Sequence, residues 1–223
     1  MAFNGHDFEV THGMQVRKES RSTWMNRPTM RTVDAIGHTV LLVAGDRIED
    51  ALTIARLQAE VGAHVILGLP READCAIARE RLSEMRHGRR VDVRVFVRTD
   101  PATMDAALAE DHGGPITGAI VMPAHGPDRF RGALCDASDT DMERFVDEEL
   151  GGAIAVARKL SRYWKERRDL KQEPRFVFLT NGSDGGANAW AELLRSAMEE
   201  LIRVWRDESE VDVKLGRRRF PEW

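Results

Sequence analysis

The chain has 223 residues, of which 42% are hydrophobic and 31% are charged, a composition typical of a folded domain with a substantial core. Its net charge of −4 gives no reason to expect nucleic acid or a membrane surface as a partner. No apolar run approaches the roughly 20 residues of a membrane-spanning helix, and no secretory signal is visible, so we expect a cytoplasmic protein.

Strands and helices are predicted to alternate along residues 39–212. The apolar run TVLLVAG at 39–45 is typical of a strand buried on both faces, and residues 47–61 carry apolar side chains at helical spacing. Further strands are predicted at 64–69, 91–97, 118–124 and 175–182, and helices at about 71–86, from 101, at 141–167 and at about 188–212. This order indicates an α/β, Rossmann-like, doubly wound parallel sheet with helices on both faces.

The segments after these strands resemble the short-chain dehydrogenase/reductase family, whose ligands bind beyond the carboxyl ends of the strands. VAGDRIEDALTIARLQAEVGAHVIL stands where that family has a glycine-rich turn, a helix and its second strand. GAIVMPAHG stands at the family's Asn-Asn-Ala-Gly strand end, and FLTNGSDGGANAWAELLRSAMEEL at its catalytic Ser strand and Tyr-x-x-x-Lys helix. The resemblance covers residues 39–212.

A narrower resemblance involves the ends of the chain. GHDFEVTHGM is similar to the last strand of a preceding reductase domain. Together with TVDAIGHTVLLVAGDRIEDAL, SRYWKERR and LIRVWRDESEVD, it resembles the N-terminal half of the bifunctional malonyl-CoA reductases. That family reduces malonyl-CoA with NADPH, through malonic semialdehyde, to 3-hydroxypropionate, and its N-terminal half performs the semialdehyde step.

This resemblance implies the domain organisation. Residues 1–14 would be the final strand of a preceding reductase domain, 15–38 a linker, 39–212 a degenerate reductase-like domain and 213–223 a solvated C-terminal tail. The family fold has one or two more strands after the last helix. We therefore expect a sheet that lacks its last strands or obtains them from elsewhere.

The turn after the first strand of the domain keeps only one glycine of the family's phosphate-binding fingerprint, Gly45. Glu49 takes the second glycine position and Ala51 the third. A carboxylate near a diphosphate costs about 1 kcal/mol in water and more near a protein surface, although Arg47 would offset part of it. An altered cofactor site and a helix start with dipole-favoured acidic residues are both open, and the second is favoured. We expect no cofactor on this segment, with NADPH bound elsewhere in the whole enzyme.

The family's catalytic tyrosine and lysine are also replaced. Trp190 takes the tyrosine position and Leu194 the lysine position, while Asn181 or Thr180 lies near the family's serine. An indole N–H donates a hydrogen bond but does not act as an acid near neutral pH. The chain's only tyrosine, Tyr163, is interpreted as a partly buried helix residue. We therefore predict no catalytic residue in this segment.

Other site chemistries find little support. The seven histidines show no metal-ligand spacing, and His125 is the one that borders the predicted pocket. Ser183 has no nucleophile-elbow context, so a hydrolase is not indicated. Cys75 and Cys135 lie far apart and are expected to be reduced thiols.

The last helix is apolar over a broad surface. Its large apolar residues recur at helical spacing: Trp190, Leu193, Leu194, Ala197, Met198, Leu201, Ile202 and Trp205. The resemblance implies that helices 141–167 and 188–212 pack against their copies in a homodimer or a preceding catalytic reductase domain. The alternative is that the helix only covers its own sheet.

Three functions are compatible with the sequence. The favoured hypothesis is a non-catalytic scaffold domain that positions an active reductase. The second is an active NAD(P)H-dependent reductase with rearranged site residues. The third is a regulatory module that binds another ligand, such as a CoA moiety near Arg47 and Arg71.

Overall fold

The computed structural model describes residues 8–11, 38–109, 114–126, 129–130, 133–167, 170, 174–181, 189–208 and 212–218. The strands are β1 (Phe8–Thr11), β2 (Thr39–Val43), β3 (His64–Leu69), β4 (Val91–Val95), β5 (Ile116–Val121), β6 (Arg175–Asn181) and β7 (Asp212–Arg218). The helices are α1 (Ile48–Glu60), α2 (Glu72–Ser83), α3 (Pro101–Ala109), α4 (Asp139–Arg144), α5 (Gly152–Glu166) and α6 (Ala189–Glu208). A π-helical segment, Phe145–Gly151, connects α4 to α5.

The strands form one sheet in the order β1-β7-β6-β5-β2-β3-β4. Neighbouring strands from β7 to β4 are parallel, and β1 pairs antiparallel with β7. The chain winds in one direction from β2 through β4 and in the other from β5 through β7. The predicted α/β class is confirmed, and the winding reverses between β2 and β5, where such folds have their ligand crevice.

Strand alternation divides the core into two layers. Leu41 and Ile66 contribute to the layer that also contains residues of α3, α5 and α6. Leu42 and Leu67 contribute to the opposite layer, with residues of α1 and α2. The continuous apolar run of β2 is explained by this arrangement, because both faces of the strand are covered.

The prediction of a C-terminal tail at 213–223 is wrong for residues 213–218, because Asp212–Arg218 form β7. The strand pairs in parallel with β6 from Arg175↔Asp212 to Asn181↔Arg218. Its sequence DVKLGRR begins with alternating apolar and polar residues, a strand signal that its basic end obscured. The sheet therefore has a sixth parallel strand, and the predicted absence of the last strands is wrong in this respect.

The N-terminal strand is present at Phe8–Thr11, within the predicted 1–14. It pairs with β7 from Phe8↔Arg218 to Thr11↔Leu215, so it forms the edge of this sheet rather than of a separate one. The linker predicted at 15–38 lies outside the described residues except for its last position, His38.

The helix predicted at 141–167 is three consecutive segments, α4, the π-helical segment and α5. Ser138 caps the first of them, since its hydroxyl accepts a hydrogen bond from the Asp141 amide at 3.1 Å. The π-helical segment buries Phe145 and Glu149. Where the chain is described, none of the helices combines the length and the apolar character required to cross a membrane.

Candidate functional site

The crevice between β2 and β5 is bridged by a buried arginine. Arg98 follows β4 and is only 7% exposed. Its guanidinium Nη2 donates a hydrogen bond to the Met122 carbonyl oxygen at 2.5 Å and lies 3.4 Å from the carbonyl oxygen of Val43. Burial lowers the pKa of Arg98 to about 10, which leaves it cationic at neutral pH, with Glu149 and Asp46 acting in the opposite direction. A positive charge thus joins the carboxyl ends of the two strands at the switch point.

A buried carboxylate faces the loop that follows β5. Glu149 is 3% exposed, and its two oxygens accept hydrogen bonds from the backbone amides of Ala124 and His125, each at 2.8 Å. Burial raises the pKa of Glu149 above its ordinary value, and the charge of Arg98 and the two amide hydrogen bonds offset only part of this rise. Successive amides that converge on an anion form a nest, and here the anion is a side chain of the protein.

His125 lies between two further carboxylates. Its Nε2 is 2.5 Å from a carboxylate oxygen of Glu148, and its Nδ1 is 3.6 Å from one of Asp46. Hydrogen bonding to Asp46 and then to Glu148 raises the pKa of His125 against the effect of partial burial. With a carboxylate beside each nitrogen, the ring favours the cationic form and is poorly suited to accept a proton from a substrate.

The turn after β2 is in tight contact with the loop after β5. The Asp46 amide donates a hydrogen bond to the Ala124 carbonyl oxygen at 2.9 Å. A Cβ atom at Gly45 would lie 2.0 Å from the Pro123 carbonyl oxygen, so only glycine fits there. The same loop covers the first turn of α1, because a Cβ at Gly126 would lie 3.1 Å from Arg47 Cδ. Gly45 thus accommodates the protein's own backbone at the place predicted for a degenerate phosphate turn.

The other two positions of the predicted turn have structural roles. Glu49 is exposed and forms an ion pair with Arg81 of α2 at 2.7 Å, so its charge is compensated away from the crevice. This differs from the sequence-based expectation, in which Glu49 was the main obstacle to a diphosphate. Ala51 is fully buried in the α1–α2 core layer. The two arginines considered for a CoA moiety, Arg47 and Arg71, pair with Asp50 and Asp74 at 2.9 and 2.7 Å.

The residue at the family's tyrosine position belongs to an aromatic cluster. Trp190 is 3% exposed, stacks on Phe130 at 5.1 Å and contacts Phe145 edge-on at 5.0 Å between ring centroids. Phe130 in turn meets the His125 ring at 5.4 Å. The geometry is that of a packed core, with the indole beside hydrophobic rings.

The remaining predicted positions lie on α6 and at the end of β6. Leu194 is 8% exposed and belongs to the same core layer as Trp190. Asn181 is the last residue of β6, and its side chain lies outside the described part of the structure. Thr180 is buried, and no described residue pairs with its hydroxyl. Of the three family positions, Trp190 and Leu194 thus lie together in one core layer, and the lack of a catalytic role for the set stays a prediction.

Tyr163 lies at the opposite end of the sheet. Its hydroxyl accepts a hydrogen bond from the Ile116 amide at 3.2 Å, at the start of β5, and Arg167 packs over its ring at 4.8 Å. Its interpretation as a helix residue agrees with this position. Cys75 is a buried free thiol and Cys135 an exposed one. Within the described residues, no three His, Cys, Asp or Glu side chains are grouped as a metal site requires.

Sequence reasoning identified His125 but missed Arg98, Glu148 and Glu149. One signal was available: Glu149 lies four residues after Phe145, which places it on the apolar side of a helical pattern. A charged residue on a buried helix side usually has a buried partner. The identity of that partner depends on which loops meet at the switch point.

Comparisons with solved structures support the reductase-like fold. No family model and no curated protein matches the chain. Among solved structures, the N-domain of a bacterial malonyl-CoA reductase, determined with NADP, is 48% identical over 90% of this chain, with a TM-score of 0.75. A short-chain dehydrogenase from Mycobacterium smegmatis is 19% identical over 78% of this chain and 70% of its own, with a TM-score of 0.63.

The C-domain of a bacterial malonyl-CoA reductase, also determined with NADP, is 19% identical over 82% of this chain, with a TM-score of 0.64. The chain spans 37% of the N-domain structure and 28% of the C-domain structure. The similarity to the malonyl-CoA reductase N-domain and the short-chain dehydrogenase fold inferred from the sequence are both confirmed.

Proposed function

On the basis of its similarity to a malonyl-CoA reductase N-domain, we propose that this chain is a non-catalytic, reductase-like scaffold segment of such an enzyme. In the whole enzyme, NADPH reduces malonic semialdehyde to 3-hydroxypropionate at another domain, which this segment positions. The observation that carries the proposal is the occupied switch point, where Arg98, His125 and Glu149 fill the crevice that a dinucleotide would need.

Steric and electrostatic features support the loss of cofactor binding. The backbone at Pro123 and Ala124 lies against Gly45, and the loop up to Gly126 lies over the start of α1. A bound diphosphate receives amide hydrogen bonds at that helix start. In this chain it would meet the carboxylates of Asp46 and Glu148, which are 44% exposed at the side chain. Like charges of this kind weaken anion binding most at low ionic strength.

The side chains also favour a structural role over proton transfer. Reduction of a carbonyl needs an acid beside the substrate oxygen. Trp190 has no titratable proton in the neutral range, and Leu194 has no charge with which to tune one. His125, a titratable ring that contacts the same aromatic cluster through Phe130, has carboxylates beside both nitrogens.

Exposed apolar side chains on one helical layer support the proposal of a binding partner. Val146, Ile154, Leu193 and Val204 are between 38% and 47% exposed, and all lie on the π-helical segment, α5 or α6. Large apolar side chains concentrated on one layer are typical of an interface. We propose that this layer packs against a second reductase-like unit, namely the preceding catalytic domain or the same segment in a homodimer.

An active NAD(P)H-dependent reductase with rearranged residues is the second candidate. It is favoured by one observation, that the similar N-domain was determined with NADP. The chain spans only 37% of that structure, so a cofactor site can belong to the remainder.

Isothermal titration of NADPH into the folded chain distinguishes the two. The scaffold proposal expects a Kd weaker than about 1 mM, which corresponds to less than about 4 kcal/mol of binding free energy. A micromolar Kd would contradict it and support the active reductase. A thermal-shift series with acyl-CoA compounds on the same sample tests the binding-module hypothesis, for which a saturable stabilisation is required.

A further inference from the structure

Glu149 occupies a site with the chemistry of a carboxylate receptor. Two successive backbone amides, those of Ala124 and His125, each donate to a different oxygen of its carboxylate at 2.8 Å. Two converging N–H groups and a carboxylate are a charge-assisted pair of hydrogen bonds, which is stronger than a neutral pair. The site is thus built by the loop after β5 and not by the helix that carries Glu149.

A buried cation completes the site. Arg98 and Glu149 are 7% and 3% exposed, and the charge of Arg98 acts on the carboxylate of Glu149. Arg98 also packs against the start of α5, because a Cβ added at Gly152 would lie 3.1 Å from the Cβ of Arg98. A buried guanidinium needs a compensating anion, and the buried Glu149 carboxylate exerts the largest charge effect on Arg98, ahead of Asp46.

We infer that Glu149 is an internal ligand: its carboxylate fills an anion site at the switch point, and a small external carboxylate replaces it when the side chain is shortened. The inference goes beyond the scaffold role and does not depend on it, since the site is intact whether or not the domain binds NADPH elsewhere. It assigns to the loop at 123–126 a ligand of defined class, a monocarboxylate of the size of acetate.

The test is chemical rescue of Glu149→Ala. This substitution removes a CH₂–COO⁻ fragment, which acetate matches in size and charge. Loss of a partner from a buried charge pair should lower the Tm by about 6–20 °C in a chain of this length. Sodium acetate should then raise the Tm of Glu149→Ala to a plateau. Sodium chloride at equal ionic strength and the uncharged analogue acetamide should not.

Glu148→Ala is the matched control. Glu148 precedes Glu149 on the same segment and contacts the His125 ring, with its side chain 44% exposed. Its removal leaves the anion site filled, so acetate should not stabilise Glu148→Ala or the unmodified chain more than chloride does. An equal acetate effect in all three proteins would overturn the inference.

A second variant, Glu149→Gln, covers the case in which Glu149→Ala does not fold without acetate. The amide keeps the shape but loses the charge that faces Arg98, so its Tm should fall below that of the unmodified chain and should not respond to acetate. For an unfolded Glu149→Ala, the readout is recovery of folded protein on refolding in acetate and not in chloride. A Glu149→Gln Tm at or above the unmodified value, or no acetate-specific recovery, would overturn the inference.

Discussion

His125 connects three parts of the chain through its ring, and this connection should depend on pH. Asp46, in the turn before α1, and Glu148, in the π-helical segment, hold the pKa of His125 above its ordinary value of 6.5. The folded state therefore binds the proton more tightly than the unfolded chain. The contribution of the bridge to the free energy of unfolding is complete below about pH 6.5 and is lost as the pH rises through the raised pKa.

Urea unfolding of the unmodified chain and of His125→Gln, repeated between pH 6 and pH 9, measures this contribution. The stability difference between the two proteins should shrink as the pH rises. His87→Gln is the matched control, because it removes an imidazole from the loop before β4, where the carboxylates of Asp46 and Glu148 are not its partners. A constant difference between His125→Gln and the unmodified chain would show that the ring proton plays no part.

Individual residues were predictable where the sequence alone fixes the chemistry. The absence of an acid at Trp190 and of a charge at Leu194 follows from residue type. The electrostatic interaction of Arg98 with Glu149 does not, because 50 residues lie between them in the chain and it results from the order of the strands in the sheet. The ion pair of Glu49 was not predictable for the same reason, since its partner Arg81 lies on the neighbouring helix.

The turn between β2 and α1 offers a prediction at the level of elements. In Gly45→Ala, the added Cβ would meet the carbonyl oxygens of Pro123 and Ala124 at 2.0 and 2.5 Å, so the two loops must separate. We expect a loss of about 1–3 kcal/mol in the free energy of unfolding, as for other overpacked sites. Thermal unfolding followed by circular dichroism provides the measurement.

Gly118→Ala is the control for this change within the same sheet. A Cβ at Gly118 would lie 3.5 Å from Val40 Cγ2, which is an ordinary contact, so its effect should be small. If Gly45→Ala were as well tolerated as Gly118→Ala, the loop after β5 could not be in contact with the turn as described. Steric exclusion of a diphosphate from this turn would then have no support.

Elements were predictable where periodicity is strong and local. The strand His64–Leu69 was predicted with its observed bounds, because an apolar run between Gly62 and Pro70 is well delimited. The last strand was missed since its identity depends on a long-range parallel pairing with β6. The π-helical segment was missed because a short stretch of different pitch leaves the apolar spacing of a long helix almost unchanged.

At the scale of the whole molecule, the two halves of the sheet meet between β2 and β5. There the side chains of Arg98 and Glu149 bind the backbone at the carboxyl ends of the strands. The usual binding region thus contributes to cohesion, while apolar surface remains exposed on the π-helical segment, α5 and α6. This apolar surface is the one that the proposed scaffold role would use for assembly. The sequence predicted the two helices concerned, but it could not distinguish their buried from their exposed apolar residues.

The double substitution Val146→Glu/Leu193→Glu tests this assembly. Both side chains are exposed, at 47% and 38%, so the fold and the Tm should be retained while a charge enters the proposed interface. We expect association of the chain with itself, or with the reductase domain that we propose as its partner, to weaken at least about tenfold, or about 1.4 kcal/mol, by light scattering across a concentration series.

Ile77→Glu is the matched control, since Ile77 is 43% exposed on α2, on the other side of the sheet. It adds one glutamate, where the double variant adds two, to a similarly exposed apolar position and should leave association unchanged. Equal weakening by Ile77→Glu would mean that net charge, and not the α5–α6 layer, controls assembly. An unmodified chain that stays monomeric alone and with the reductase domain would remove the structural basis of the scaffold role, because a scaffold without a docking partner positions nothing.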